Sequence, residues 1–255
     1  MAVYITGDCH DNFSRFNTKN FPEQKELTHD DYVIICGDFG GVWDNSNEEK
    51  YWLKWLSEKP FTTLFCDGNH ENFDMLNNDY ETIDFCGGKV HKIRDNVYHL
   101  IRGNIYTICN KTFFVFGGGA SHDISDGILN PCDFVTQHSL MKAYNNLTLN
   151  GKMIRINHIS WWQEELPSKE EIQFAKDNLK KVNNKVDYVI THCPPREICC
   201  KFGYMDRDIL IDFFDELINN GLEFTQWWSG HLHDNYYGIV QKYNLIFEDI
   251  IKLIP

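Results

Sequence analysis

The sequence lacks the features that mark membrane-spanning, exported and disordered proteins. No apolar run approaches the roughly 18 residues that a transmembrane helix needs. The start, MAVYITGD, has no basic segment followed by a long apolar one, so no export signal is expected. Low-complexity tracts are absent, and 42% of the residues are hydrophobic. We therefore expect a cytoplasmic protein whose residues 1–255 fold as one domain.

The cysteines lack the spacing of a structural framework. Their number, nine, is odd, and no two of them are separated by two residues. This pattern excludes a conventional disulfide scaffold and a zinc ribbon. We expect reduced and mostly buried thiols, including Cys9 and Cys193 beside the polar clusters described below.

Positive charge is also scarce. The chain has 24 Lys and Arg residues against 37 Asp and Glu residues, which gives a formal net charge of -13. Such a charge repels polyanions at long range, so we expect weak affinity for nucleic acids and anionic membranes. A local metal site could still attract a small phosphorylated substrate.

Short apolar runs alternate with helical patterns along much of the chain. Buried strands of a largely parallel sheet are predicted at 2–6, 32–36, 61–66 and 186–191. Ser46 and Ser168 each begin an S-x-x-E pattern that predicts a helix start. A third helix is predicted over 206–219, ending at Asn220-Gly221 before a strand at 224–229. This alternation predicts an α/β fold.

The middle of the chain has a different pattern. Runs at 97–101, 104–108 and 113–116 are joined by Gly103 and by Asn110-Lys111, which predicts antiparallel hairpins. Two packed sheets of mixed strand direction are therefore expected. Residues 117–167 show no regular pattern, and the sequence assigns them no structure.

Five polar clusters come directly after strand-like runs. They are Asp8-Cys9-His10, Gly37-Asp38, Gly68-Asn69-His70-Glu71, Thr191-His192 and Gly230-His231-Leu232-His233. Asp8 and Asp38 are 30 positions apart, and Asp38 and Asn69 are 31 apart, about the length of one βαβ unit. Such clusters can meet at one sheet edge, where ligands of α/β proteins gather.

The side chains of these clusters are typical ligands of divalent metals. Carboxylate and amide oxygens together with imidazole nitrogens suit metals of borderline hardness. Seven such ligands are too many for one ion, and two close cations need a shared anionic ligand. Asp38, on a short loop after a central strand, is the candidate bridge.

Taken together and in order, the clusters resemble the pattern of the calcineurin-like metallophosphoesterase family: D-x-H, GD, GNH[DE], H and GHxH. The match runs from Asp8 to His233. The resemblance implies a four-layer α/β/β/α sandwich with mixed sheets and with the metals at one end. It implies that one metal is held by Asp8, His10, Asp38 and His233, and the other by Asp38, Asn69, His192 and His231.

The resemblance also implies a catalytic role for His70, which would stabilise or protonate the leaving oxygen without binding metal. The implied activity is dinuclear metal-dependent hydrolysis of a small phosphomonoester or phosphodiester, with nucleotides among the candidates. Water activated by the cations would attack phosphorus. We expect manganese or iron, with zinc and nickel as alternatives.

Two other functions remain open at this stage. One is a metal-dependent nuclease, against which the acidic charge counts. The other is a catalytically silent scaffold of the same fold, which the retained His70 and ligand clusters disfavour. The oligomeric state is not predicted.

One position departs from the family pattern. Gly41 stands where many members carry the Asp or Asn that orients the catalytic histidine, and Asp44 is a candidate replacement. The arginine that follows in serine/threonine protein phosphatases is also missing, so phosphoprotein substrates are disfavoured.

Several remaining residues have competing interpretations. The run Gly117-Gly118-Gly119 is expected to form a tight turn, or else to bring Ser121 and His122 over the metals as substrate-binding residues. The pairs Trp161-Trp162 and Trp227-Trp228 are expected to pack in the core. Structural hydrogen bonds, and no metal, are expected for His29, His91, His99, His138 and His158.

Overall fold

The computed structural model describes residues 1–205 and 207–255. Its strands are β1 (Val3–Thr6), β2 (Tyr32–Ile35), β3 (Thr62–Phe65), β4 (Glu81–Phe85), β5 (Gly88–Arg94), β6 (Val97–Leu100), β7 (Ile105–Ile108), β8 (Lys111–Phe116), β9 (Gly127–Leu129), β10 (Ile154–Ile156), β11 (Tyr188–Thr191), β12 (Gln226–Ser229), β13 (Tyr236–Ile239), β14 (Tyr243–Leu245) and β15 (Ile251–Ile254). Its α-helices are α1 (Asn47–Ser57), α2 (Phe73–Asn78), α3 (Gln137–Leu149), α4 (Lys169–Lys181), α5 (Arg196–Lys201) and α6 (Ile209–Asn219). No helix within these described ranges has both the length and the apolar character needed to cross a membrane.

The strands form two large mixed sheets and one small sheet. The first large sheet has the order β15-β1-β2-β3-β6-β5-β4, and the second has the order β13-β14-β12-β11-β8-β7. Strands β1, β2, β3 and β6 run parallel, as do β8, β11, β12 and β14. Antiparallel strands complete the edges. The polar clusters therefore follow the parallel strands at the centre of each sheet.

Alternating side chains of the central strands build the layers. Val3, Ile34 and Val115 pack in the apolar cluster between the two sheets. On the outer face of the first sheet, Val33 packs with residues of α1, and on the outer face of the second sheet Trp227 packs with α4 and α6. Because both faces are buried, the strands have nearly continuous apolar sequences. The predicted four-layer α/β/β/α sandwich with mixed sheets is confirmed.

Helices α1 and α4 begin directly after the predicted serines, but the glutamate three residues after the serine bonds differently in the two helices. Ser168 and Glu171 form a complete capping box at the start of α4. Ser46 accepts from the Glu49 backbone N–H at the start of α1, yet the Glu49 carboxylate accepts from the backbone N–H groups of residues 43, 44 and 45. Glu49 thus ties the preceding loop to the helix. Of the third predicted helix, Asp206 lies outside the described residues, and Asp208 caps the observed start of α6.

One predicted hairpin is wrong. Strands β7 and β8 pair as predicted, but β6 and β7 belong to different sheets. Gly103, with φ of +77°, lies where the chain crosses from one sheet to the other, and β6 pairs with β3 and β5. The apolar sequence of β6 is equally compatible with either partner, so local pattern could not distinguish them.

Residues 117–167 contain a small unit that the sequence did not reveal. Strands β9 and β10 pair in parallel, and α3 lies between them in the chain and contacts β10. Trp162 is buried in the core near Trp43, and Trp227 and Trp228 are buried in different clusters, so packing is confirmed for these three. Trp161 is only partly buried.

Candidate metal centre and catalytic histidine

The five polar clusters meet at one end of the two sheets, as their positions after parallel strands predict. Their backbone is unusual: Asp38 and the three histidines His10, His231 and His233 have φ between +44° and +69°. Left-handed backbone costs of order 1 kcal/mol or more at each non-glycine residue and concentrates at functional sites. The loops are therefore held in shapes that direct these side chains towards one another.

The first group of donor atoms comes from Asp8, His10, Asp38 and His233, whose nearest ligand atoms all lie within 4.8 Å of one another. The Nε2 atoms of His10 and His233 are 3.0 Å apart. Asp8 Oδ2 is 3.1 Å from His233 Nε2, and Asp38 Oδ2 is 3.7 Å from His10 Nε2. This is the set expected to hold one metal.

The second group comes from Asp38, Asn69, His192 and His231. His192 Nε2 lies 3.1 Å from Asn69 Oδ1, 3.4 Å from Asp38 Oδ1 and 3.1 Å from His231 Nδ1. His192 Nδ1 donates to the Cys36 carbonyl at 2.9 Å, and a carbonyl oxygen can only accept. In the neutral imidazole the Nε2 lone pair therefore faces the amide and carboxylate oxygens.

These groups fit divalent cations. Lone pairs of oxygen and nitrogen converge in both groups, and converging acceptors repel one another unless protons or cations lie between them. Small residues make the approach possible, because a Cβ on Gly68 would lie 2.0 Å from Asp38 Oδ1 and one on Gly230 would lie 2.0 Å from Asp8 Oδ1. The absence of a side chain at these two glycines thus allows the ligands to lie close together.

The surroundings of the ligands shift their pKa values in different directions. Burial would raise the pKa of Asp8, but His192, His233 and the His231 backbone N–H together lower it to about 2. Burial and the neighbouring His192 lower the pKa of His231 well below its usual value. Asp8 raises the pKa of His233 through a hydrogen bond. Metal ligands must be deprotonated, and the Asp8 carboxylate and the His231 imidazole already meet that condition near neutral pH.

His70 lies beside the donor groups and not within them. Its backbone N–H donates to Asp38 Oδ1 at 2.7 Å, and its ring centroid is 5.0 Å from that of His10. Burial lowers the pKa of His70, which Asp38 partly opposes. His70 thus lies next to both donor groups, and its catalytic role stays a prediction.

The side chain that approaches His70 is Arg155, which the sequence did not suggest. Arg155 Nη2 is 3.4 Å from His70 Nε2, and the guanidinium is fixed by Asp123 at 2.7 Å and by the Ser160 carbonyl at 2.9 Å. Asp44 instead accepts from the Ser46 backbone N–H, and within the described residues no hydrogen bond joins Asp44 to His70. The sequence gave no sign of Arg155, because this residue belongs to the segment 117–167, in which the sequence shows no regular pattern.

Packing leaves no room at Gly41 for the Asp or Asn that the resemblance would place there. A Cβ at this position would lie 2.6 Å from the Phe39 ring and 3.0 Å from the Phe13 ring. Aromatic packing behind the loop therefore excludes an orienting Asp or Asn.

The two candidate substrate-binding residues have different surroundings. His122 is exposed, and its Nε2 lies 3.1 Å from His231 Nε2, next to the second donor group. Ser121 is buried, and its hydroxyl donates to Glu165 at 2.6 Å while the Asn69 amide lies 3.5 Å from it. Ser121 is thus placed to orient Asn69. The glycine run does not close a tight turn: Gly118, with φ of +96°, donates its N–H to the Asp67 carbonyl at 2.9 Å, and Gly119 donates to the Glu165 carbonyl at 3.1 Å.

Two further residues hold the loops: Arg15, which the sequence analysis did not single out, and Glu71, the last residue of the cluster Gly68-Asn69-His70-Glu71. Arg15 donates to the carbonyls of Gly7 and Asp8, which fixes the loop after β1. Glu71 accepts from the Phe39 and Gly40 backbone N–H groups at 2.8 and 3.4 Å, which fixes the loop that carries Asp38. Burial and the neighbouring Asp38 raise the pKa of Glu71 well above its usual value.

The cysteines beside the site are packing residues. Cys9 and Cys193 are both buried in apolar clusters, and burial raises the pKa of Cys9 to about 12. All nine cysteines are unpaired. Of the histidines expected to be structural, His29, His91, His99 and His158 each have a hydrogen-bond partner outside the donor groups.

Comparison with known proteins identifies the relatives of this chain. A family model described as calcineurin-like phosphoesterase matches residues 1–235. Lariat debranching enzyme A of Xenopus laevis is 23% identical over 279 aligned residues, which cover 97% of this chain and 46% of that protein. The chain thus spans less than half the length of this relative. The crystal structure of a phosphopantetheinyl hydrolase of Mycobacterium tuberculosis matches with a TM-score of 0.47 and 14% identity, over 100% of this chain and 96% of that one.

Proposed function

The chain belongs to the calcineurin-like phosphoesterase family, and on that premise we propose that it is a dinuclear metal-dependent phosphohydrolase of small phosphomonoesters or phosphodiesters. Metal-dependent hydrolysis of phosphoesters follows from the family and the Asp/His cluster. The two-metal centre, the site residues and the substrate class are the proposal.

One observation carries the two-metal assignment. The oxygens of Asp38 face different donor groups, since Oδ2 is 3.7 Å from His10 and Oδ1 is 3.4 Å from His192. A carboxylate in this position can be shared by two cations. Asp8, His10 and His233 would complete one site, and Asn69, His192 and His231 the other. When bound, the cations would neutralise phosphoryl oxygens and lower the pKa of water.

The remaining residues position the reacting groups. His70, tied through its backbone to Asp38, would stabilise or protonate the leaving oxygen. Arg155 contacts His70 Nε2 and limits how the ring can turn. Ser121, through Asn69, holds one ligand in place, and the exposed His122 is the candidate contact for a phosphoryl oxygen. Mn²⁺ or Fe²⁺ fits the mixed oxygen and nitrogen ligands, with Zn²⁺ and Ni²⁺ as alternatives.

A metal-dependent nuclease or debranching enzyme is the second candidate. It is favoured by the similarity to lariat debranching enzyme A, at 23% identity over 97% of this chain. The net charge of -13 counts against it, because nucleic-acid affinity depends mainly on neutralising phosphates with Lys and Arg. Tight, salt-dependent binding of an oligonucleotide would favour this second candidate.

The experiment that tests the proposal starts from protein stripped of metal by chelation. Hydrolysis of an aryl phosphomonoester and of an aryl phosphodiester is then measured before and after addition of Mn²⁺, Fe²⁺, Zn²⁺ or Ni²⁺. We expect no turnover without metal and recovery with Mn²⁺, and the preferred ester separates monoesterase from diesterase. Full turnover by protein that elemental analysis shows to be free of metal would refute the proposal.

A further inference from the structure

A cleft with a volume of about 300 Å³ lies against the candidate metal centre. His10, a member of the first donor group, and the neighbouring His70 both line it. Its other lining comes from the loop between β2 and α1, from the first turns of α1 and from Asp11 and Phe13. A ligand in this cleft would touch the proposed catalytic histidine.

The cleft has aromatic walls. Trp43 and Trp52 line it and are only half-buried, so part of each ring remains accessible. Both rings are fixed from behind: Trp52 has edge contacts with Phe13 at 6.1 Å and Trp55 at 5.3 Å, and Trp43 contacts Trp162 at 5.4 Å. Rigid indole surfaces of this kind bind flat ring systems by stacking.

The charge at the cleft is of one sign. Asp11, Asp44 and Glu48 line it and are exposed, whereas Glu49 is buried and satisfied by three backbone N–H groups. No Lys or Arg belongs to this lining in the described part of the chain. These exposed carboxylates favour a cationic ring over an anionic one, an effect that adds to the field of any cations bound at the neighbouring centre.

We propose that this cleft binds the leaving alcohol of the substrate, and that it selects a planar ring system that is uncharged or cationic. The inference rests on the proposed function, because His70 defines the side from which the leaving oxygen departs. A volume of about 300 Å³ is at the lower limit for ligand pockets, which fits one ring system and not a polymer.

The charge preference can be tested with a matched pair of aryl esters. Phosphate esters of 4-(aminomethyl)phenol and 4-(carboxymethyl)phenol are compared by kcat/KM at low ionic strength, in whichever ester class the protein prefers. The cationic ester should be favoured by about 10-fold or more, since each cleft carboxylate contributes roughly 3-fold. Glu48→Gln should reduce this ratio about 3-fold.

Glu170→Gln is the matched control for that variant. Glu48 and Glu170 are both exposed, and each is the second residue of a helix that a serine caps. Only Glu48 lines the cleft. An equal change of the ratio in both variants, or no change in either, would overturn the charge preference.

The ring preference is tested by Trp52→Leu, with Phe174→Leu as control. Phe174 is an exposed aromatic residue of α4 that does not line the cleft. We expect Trp52→Leu to lower kcat/KM for the phenyl ester about 10-fold relative to an ethyl ester, since stacking of one ring typically contributes 1–3 kcal/mol. Phe174→Leu should leave that ratio unchanged.

Binding without turnover separates this inference from the proposed function. The same cationic and anionic rings, carried on non-hydrolysable benzylphosphonates, are titrated calorimetrically into the Mn²⁺-loaded chain. Tighter binding of the cationic ring that depends on Glu48 would support the cleft assignment. Hydrolysis of simple esters with no such discrimination would leave the phosphohydrolase assignment intact and refute the leaving-group cleft.

Discussion

Two groups of buried polar side chains lie next to each other in this fold and neutralise their charge differently. The first, which we call the closed cluster, consists of Asp67, His91, His99 and Arg102. Arg102 donates two hydrogen bonds to the Asp67 carboxylate, and His99 Nε2 lies 3.1 Å from its other oxygen. Although burial opposes ionisation, Arg102 and His99 hold the pKa of Asp67 well below its usual value.

Within the described residues, no Arg or Lys side chain bonds to a carboxylate of the candidate metal centre. Asp8 and Asp38 are surrounded by imidazoles and by backbone N–H groups, and Arg15 bonds to the backbone carbonyl of Asp8 and not to its carboxylate. Folding alone brings a cation to Asp67, whereas the proposed function would bring cations to Asp8 and Asp38 from solution.

The largest expected effect is that of Asp38→Asn. This change removes the negative charge of the ligand that we propose is shared by two sites, and loss of even a residue that only hydrogen-bonds to a metal ligand lowers affinity or activity about 10- to 100-fold. We expect turnover to fall by about 10⁴-fold or more and both metals to be lost, measured by steady-state kinetics and elemental analysis. Asp8→Asn should weaken one site only. An Asp38→Asn protein with two metals and normal turnover would show that Asp38 is not the bridge.

His70→Ala should separate catalysis from metal binding within the candidate centre. Loss of a positioned acid or charge stabiliser typically lowers the rate by about 10²- to 10⁴-fold. The loss should be larger for esters with basic leaving groups than for activated aryl esters, and metal content should not change. Asp177→Asn serves as the control, because Asp177 is exposed, bonds to Gln173 and Lys180 of its own helix α4, and should leave turnover unchanged. If His70→Ala removes a metal, His70 is a ligand and the proposed role is wrong.

Asp67→Asn tests the closed cluster. It removes the nearer anionic partner of the buried Arg102 and leaves Glu171 at 3.6 Å, and breaking such a buried pair typically costs about 3–5 kcal/mol of unfolding free energy. Urea denaturation measures this loss, and Asp67→Asn combined with Arg102→Met should recover part of it. Saturation with Mn²⁺ at 100 times the Kd should stabilise Asp67→Asn by the same ~2.7 kcal/mol per bound metal as the wild type. Loss of that increment in Asp67→Asn would show that the two clusters are not independent.

The smallest effect concerns His91. Burial and the neighbouring His99 lower the pKa of His91 to about 4. An unfolded histidine, with a pKa near 6.5, takes up a proton first as the pH falls. The stabilisation is therefore complete above about pH 6.5 and is lost towards pH 4. In metal-free protein, His91→Phe should show a shallower loss of unfolding free energy over this window, and equal slopes would contradict the assignment.

Much of the fold could be predicted because its information is local. The runs that became β1, β2, β3, β11 and β12 are apolar on both faces and end at polar clusters, and Ser168 defines the start of α4. The pairing of β6 could not be predicted, because its choice between β3 and β7 depends on contacts far apart in sequence. Arg155 was missed for a similar reason, since it reaches His70 across 85 positions of the chain.

The sequence by itself determined the class of chemistry in this protein. Donor types, their order and their positions after strand-like runs were enough to predict a metal centre with Asp38 at its middle and His70 beside it, because parallel strands bring such positions to one edge. Only the tertiary structure decided which side chains support and surround that centre. Arg155 and not Asp44 contacts His70, the rings of Phe13 and Phe39 exclude a side chain at Gly41, and an acidic, aromatic cleft borders the site. The physical reason is that these contacts join segments with no regular spacing in the sequence. Close packing and charge in three dimensions determine such contacts, whereas periodicity along the chain does not determine them.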